Sequence, residues 1–181
     1  GVNFDKNVVI NLGHGLILKG GNNSVDSCFF TFTGPGTETN LNLQGLLIDG
    51  GTGSVVTNCI FTDIPGHSIS IKSGGNHTID YCTTTGAQDA SIIAYGTGGN
   101  TISNCSTSAG NHNGIGLIAP NNIVENCVSF DNRWAGIVCD NSFGGCSGNI
   151  IRNNEVYGNH TDLGTFLIEQ GAISSDGPDT E

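Results

Sequence analysis

An all-β fold, a right-handed parallel β-helix of about six to seven coils, is predicted by three features of the sequence. Cysteines recur at Cys28, Cys59, Cys82, Cys105 and Cys127, with spacings of 31, 23, 23 and 22 residues. Three positions before each stands a β-branched aliphatic (Val25, Val56, Ile79, Ile102, Val124), and Ile151 continues the series where Asn154 replaces the cysteine. Ten and twelve positions after the cysteine an apolar pair recurs: Ile69 and Ile71, Ile92 and Ala94, Ile115 and Leu117, Ile137 and Cys139. A spacing of two marks a strand.

The elements between these columns follow from residue type. Turn formers stand six and five positions before each cysteine, as Asn22-Asn23, Gly53-Ser54, Asn76-His77, Gly99-Asn100, Asn121-Asn122 and Gly148-Asn149, and these types tolerate left-handed backbone. Leu46 and Ile48 match the apolar pair in an earlier coil, which puts the extra length of that coil in a turn around Gly34 to Gln44. A second insertion, Asn141 to Cys146, follows Cys139. Asn58, Asn104, Asn126 and Asn153, one position before the cysteine column, are expected to form a ladder of side-chain amides, interrupted by Tyr81. The cysteines themselves read as small, soft buried residues. Cys139 and Cys146 close the short insertion and are the pair assigned to a disulfide. Leucine-rich repeats share the period but need leucine at fixed positions that this pattern lacks, and a sandwich needs no register between successive blocks. Coils stacked about 4.8 Å apart make a rod roughly 30 Å long.

Composition bounds the partners. The 181 residues carry a net charge of −11 with only five Lys and Arg, which excludes a phosphate-binding surface and hence nucleic acid. No apolar run approaches the roughly 18 residues of a membrane span, so no membrane insertion is expected. The chain opens on Gly1 and is read as one β-helix domain over residues 1–181, a module of a larger protein. Seven cysteines and four Asn-x-Ser/Thr sequons, at Asn22, Asn76, Asn104 and Asn159, suit an extracellular, cell-surface or virion-associated setting. The cysteine spacing lacks the paired knuckles of zinc sites, so no metal or other cofactor is assigned. Calcium remains open on the scattered acids Asp63, Asp131 and Asp140, which lack the dense spacing of a calcium loop.

The repeats from Asn100 to Cys105 (NTISNC) and from Asn121 to Asn126 (NNIVEN) resemble those of the pectin-lyase-like superfamily of right-handed parallel β-helices. The resemblance covers nearly the whole chain. It implies a glycan bound or cut in a groove along one sheet, within a superfamily that holds lyases, glycoside hydrolases, epimerases, phage tailspikes and silent modules. The stretches from Gln88 to Ile93 (QDASII) and from His112 to Leu117 (HNGIGL) resemble the Asp-Asp and Gly-His-Gly-Ile segments of polygalacturonases. Gln88 stands where that family has its first Asp, Gly66-His67-Ser68 where it has Asn-Thr-Asp, and Gly136-Ile137-Val138 where it has Arg-Ile-Lys.

The columns locate a candidate strip independently of family. Ser68, Ser91, Gly114 and Gly136 alternate with the inward isoleucines and are expected to form an outward, open floor. Asp89, His112 and Trp134 stand on one side, with His67 and Arg133 adjacent, and Lys72, Tyr95 and Asp140 on the other. An aromatic face over small residues, flanked by carboxylates, suits a sugar ring. Asp89 and His112, one coil apart, are the catalytic candidates as acid–base partners; His67, Lys72, Tyr95, Arg133, Trp134 and Asp140 are the substrate-binding candidates. The expected partner is a polysaccharide, with neighbouring coils, domains or subunits at the uncapped strand edges of both ends. The rival reading is a non-catalytic structural or adhesive module such as a tailspike, fibre or filament repeat.

Overall fold

The structure, a computed structural model, describes residues 1–11, 14–32, 43–140, 146–160 and 173–175. Most of the turn around 34–44 and residues 141–145 of the second insertion lie outside the described residues.

Every coil places one strand in each of three parallel seven-stranded sheets. A central coil gives Thr78–Asp80 to sheet A, Thr83–Thr85 to sheet B and Ile92–Ala94 to sheet C. The sheet A register aligns Val25, Val56, Ile79, Ile102, Val124 and Ile151, and that of sheet C aligns Ile69, Ile92, Ile115 and Ile137. Both columns point into the core, as the periodicity predicts.

Sheet B was hidden in the sequence. Its strands begin directly after the cysteine column, and the residues they turn inward are Phe30, Phe61, Thr84, Thr107 and Ser129. Hydroxyls replace aromatics after the stacked Phe30–Phe61 pair, whose ring centroids are 4.5 Å apart, so no apolar alternation marks the strand.

A left-handed residue turns each corner of the coil. Ser27, Asn58, Tyr81, Asn104, Asn126 and Asn153, just before the strands of sheet B, all have φ between 50° and 57°. Between sheets C and A the column alternates Asn22, Gly53, Asn76, Gly99, Asn121 and Gly148, again all with positive φ. The alternation has a steric cause. Each asparagine folds its side-chain oxygen over the next corner, where a Cβ at Gly53 or Gly99 would lie 2.9 or 2.6 Å from it.

The amide ladder is therefore not where the sequence suggested. Asn58, Asn126 and Asn153 are exposed, and Asn58 and Asn104 reach back to Asp26 and Asp80 of the preceding coil at 2.8 and 2.7 Å. The ladder runs instead through Asn23, Ser54, His77, Asn100, Asn122 and Asn149, all buried. Each backbone N–H donates to the side chain one coil on: Asn23 to Ser54 Oγ, Ser54 to His77 Nδ1, His77 to Asn100, Asn100 to Asn122, and Asn122 to Asn149, at 2.7–3.3 Å. At this corner the backbone has left sheet C and not yet entered sheet A, so its buried N–H groups need side-chain acceptors.

Cys28, Cys59, Cys82, Cys105 and Cys127 are free and buried, and Cys139 and Cys146 are joined in a disulfide with Cα atoms 5.7 Å apart. The thiols of Cys59 and Cys105 donate to the carbonyls of Thr57 and Ser103, both at 3.1 Å. Contact with the Cys105 thiol, together with burial, pushes the Cys127 thiol far above its ordinary range, which makes it a packing group and not a nucleophile.

Two experiments test this interior. Thr107 Oγ1 donates to Ser129 Oγ at 2.8 Å, whereas the Thr84 hydroxyl one coil earlier is buried without a partner. Thr84→Val is expected to raise stability by about 1 kcal/mol and Thr107→Val to lower it by about the same amount, measured by urea unfolding. Equal signs for the two would refute the hydroxyl assignment. In the ladder, His77 Nδ1 accepts a bond and so must carry no proton, and burial lowers the His77 pKa below its ordinary 6.5. The unfolded chain takes the proton first, so stability is lost as pH falls through 6.5 toward the folded value. His77→Asn, which restores the column's usual residue, should melt higher than wild type at pH 5 and much closer to it at pH 7.5. Parallel pH profiles for the two proteins would show that His77 does not titrate against the fold.

Candidate functional site

The outer face of sheet C carries the strip, with a different floor from the one expected. Ser68, Ser91, Gly114 and Gly136 directly precede the strands, and the corner there breaks the alternation and turns this column inward. Ser68 and Ser91 are fully buried, and a Cβ on Gly114 would press on the Ser129 hydroxyl and lie 2.6 Å from that of Thr107. The outward column is Leu47, Ser70, Ile93, Gly116 and Val138, aligned across five strands whose flanking residues sit in the core.

One wall stands on the corner between sheets B and C. Gly66, Asp89, His112 and Trp134 stack there, joined by backbone bonds from Asp89 N to the Gly66 carbonyl and from Trp134 N to the His112 carbonyl. The far wall holds Lys72, within its strand, and Tyr95, Ile118 and Asp140, each directly after its strand; Asp49 joins it from the preceding coil, where a register shift after Ile48 pairs it with Ser73. His67 and Tyr95 approach edge to face across the floor, with centroids 6.5 Å apart, and Ser70 and Ile93 are almost sealed, at 1% and 6% exposure. The floor is thus narrowed at its centre and continues over Gly116 to the half-exposed Val138.

Asp89 is the centre of the titratable cluster. Its Oδ1 accepts the Ala90 N–H at 2.8 Å and lies 3.7 Å from His112 Nδ1, while its Oδ2 lies 3.6 Å from His67 Nε2. His112 Nδ1 is buried and makes no hydrogen bond, yet the side chain is 32% exposed, so the exposed part of the ring is the side away from Asp89. The indole of Trp134 covers the imidazole at a centroid distance of 3.7 Å. Burial holds the pKa of both His67 and His112 below the ordinary imidazole value; Asp89 opposes this in both, and the His67 and Arg133 charges reinforce it at His112. Burial also raises the Tyr95 phenol, with Asp89 and then Asp140 adding to the effect.

The structure brings the proposed residues together unevenly. Asp89, His112 and Trp134 form one contact group, and His67 joins it as a buried side chain. Arg133 is exposed beside the group, its Nη1 donating to Asn111 at 3.1 Å. Lys72 stands on the far wall 3.6 Å from Asp49, a residue the sequence did not single out because its coil carries the large insertion. The Leu46 and Ile48 spacing would set Asp49 level with Lys72, but a register shift after Ile48 pairs Asp49 with Ser73, so only the structure shows its carboxylate meeting the Lys72 ammonium. Gln88 is exposed and turns its amide to the Gly86 carbonyl, so Asp89 is bracketed by imidazoles and not by a second carboxylate. Among the described residues no group of three or more His, Cys, Asp or Glu is arranged to hold a metal ion. A separate shallow indentation near the first coils, lined by Val9, Phe30, Gln44, Ile64 and Pro65, contains no ionisable side chain.

The family model for a right-handed beta helix region matches residues 14–177. The chain belongs to the right-handed β-helix family. No curated protein matches it. Membership of this β-helix family agrees with the handedness that the repeat predicts and with the pectin-lyase-like resemblance; it assigns no reaction.

Trp134 is the sole tryptophan, which gives the site its own reporter. An imidazolium against the indole quenches its fluorescence, so emission should fall as pH drops, with a midpoint below 6.5 set by the lowered His112 pKa. His112→Ala should abolish the transition. A transition that survives in this variant would show that another group is being read.

Proposed function

We propose that this β-helix engages a polysaccharide along the outer face of sheet C and modifies or cleaves it with His112 and Asp89 as the acid–base pair. The observation that carries the reading is Asp89 facing His112 Nδ1 on the wall of the sheet C face, with the Trp134 indole tilted over the same imidazole. With Nδ1 turned to the carboxylate, His112 presents its other nitrogen to the cleft as proton acceptor and donor. Asp89 orients the ring and stabilises the imidazolium that forms. Trp134 and Tyr95 offer apolar ring faces to a pyranose, Asp140 an acceptor for its hydroxyls, and Arg133 and Lys72 charged donors at the two rims. The net charge of −11 repels a polyanion, which favours a neutral polysaccharide. Such a substrate suits a domain working outside the cell, on a cell surface or on a virion.

A glycan array combined with a depolymerisation screen tests this, using wild type, Trp134→Ala and His112→Ala matched for thermal stability. Wild type should bind a neutral polysaccharide, Trp134→Ala should weaken that binding about tenfold or more, and His112→Ala should slow turnover roughly 10²- to 10⁴-fold while retaining binding. Absence of binding by the wild type would overturn the glycan reading in favour of a structural rod.

A further inference from the structure

We propose that the rings of His67 and Tyr95 close the cleft over sheet C at one end, so that the protein takes the end of a polysaccharide chain and not its middle. This end specificity deepens the polysaccharide reading above and rests on it.

The floor of the cleft is the outward column of sheet C, from Leu47 through Ser70, Ile93 and Gly116 to Val138. Side chains on the outer face of a sheet meet solvent unless other groups lie over them. Leu47, Ser70 and Ile93 are nevertheless only 7%, 1% and 6% exposed, whereas Val138 at the other end is half-exposed. Above the sealed centre two rings meet from opposite walls, edge to face with centroids 6.5 Å apart. His67 comes from the corner between sheets B and C, and Tyr95 from directly after its strand. The His67 ring is fixed in this position, because its Nδ1 lies 3.2 Å from the Ala90 carbonyl, which can only accept. Ile93 leans toward the open end, since a Cβ on Gly116 would lie 2.9 Å from its Cδ1. The floor is therefore filled from Leu47 to Gly116.

The catalytic candidates stand on the open side of this bar. Asp89 shares a coil with Tyr95, His112 lies one coil further on and Trp134 two. Each coil rises about 4.8 Å, close to the length of one sugar residue, so about one ring fits between the bar and the His112 imidazole. A chain lying along the rod over Trp134 and Val138 reaches the bar with its last residue beside Asp89 and His112. An interior stretch of the same chain would have to pass through the two rings. A terminal sugar also carries a hydroxyl that an interior one has used in its linkage, and the bar offers that hydroxyl a donor. Burial, with Asp89 and then Asp140 adding to it, raises the Tyr95 phenol above its ordinary range and keeps it protonated.

The test is binding capacity against chain length, read by calorimetry with linear neutral glucan, mannan, xylan and galactan, each in a short and a long preparation at equal sugar mass. Wild type should bind about tenfold less of itself to chains about tenfold longer, because only ends are taken and each chain keeps the same number of them. Tyr95→Phe keeps the ring and should keep this dependence. Tyr95→Ala opens the floor over Ser70 and Ile93 and should lose it, seating several copies on each long chain. Equal wild-type capacity for short and long chains would overturn the closed end and leave the polysaccharide reading standing. A Tyr95→Ala protein that binds more weakly but keeps the length dependence would reduce Tyr95 to a sugar contact and overturn its role as a bar. No binding of wild type to any of the polymers would overturn the polysaccharide reading and the end specificity with it. The wild-type comparison needs no variant to fold.

Discussion

The rest of the structure depends on the hydrogen bond that a backbone N–H at the corner between sheets C and A gives to a side chain one coil on. Repeated from Asn23 to Asn149, it satisfies donors that no sheet can reach, and it does so only when successive coils are in register. In a solenoid each coil touches only its neighbours, so a local register device must act at every step. The side-chain period of a strand is two, and a slip of one residue would turn the isoleucine columns out and the polar columns in.

Register is also what assembles the site. His67, Asp89, His112 and Trp134 come from four successive coils, and they meet because the corner between sheets B and C repeats with little change. Backbone bonds between neighbouring corners fix the vertical spacing, and packing of the interior fixes the depth. Gly15 and Gly45 leave room for Phe30 and Phe61, while Ser68 and Ser91 replace glycine where the facing column changes to threonine. The interior of the rod thus changes from aromatic to hydroxyl-lined along its length, and the titratable cluster sits over the hydroxyl-lined part.

A carboxylate between two imidazoles on one wall differs from the paired carboxylates of a glycosidase of the usual kind. Here one acid orients one base, and the second imidazole flanks the acid. Half-burial makes this effective, because a cluster screened by water would couple weakly. Trp134 contributes both to the dryness of His112 and to the apolar surface that a sugar ring can use.

The columns of Val56, Ile79 and Ile102, the period and the turn asparagines were legible because buried residues in a repeat must recur at fixed spacing. Those alone determined a parallel β-helix with Asp89, His112 and Trp134 on one edge. Sheet B was illegible, since Thr84, Thr107 and Ser129 satisfy their burial through hydroxyl contacts and leave no hydrophobic alternation. The floor was misplaced from Ser70 to Ser68, and the ladder from Asn23 and Asn100 to Asn58 and Asn104, because both lie at corners. At the ladder a left-handed residue such as Asn22 or Asn76 directly precedes the inward side chain, whereas the direction of Ser68 and Ser91 is set over the several residues after Asp63 and Gly86, and residue type encodes neither. Side-chain direction at a corner, and with it which nitrogen of His67 meets Ala90 and which meets Asp89, was decided only by the tertiary packing of one coil on the next.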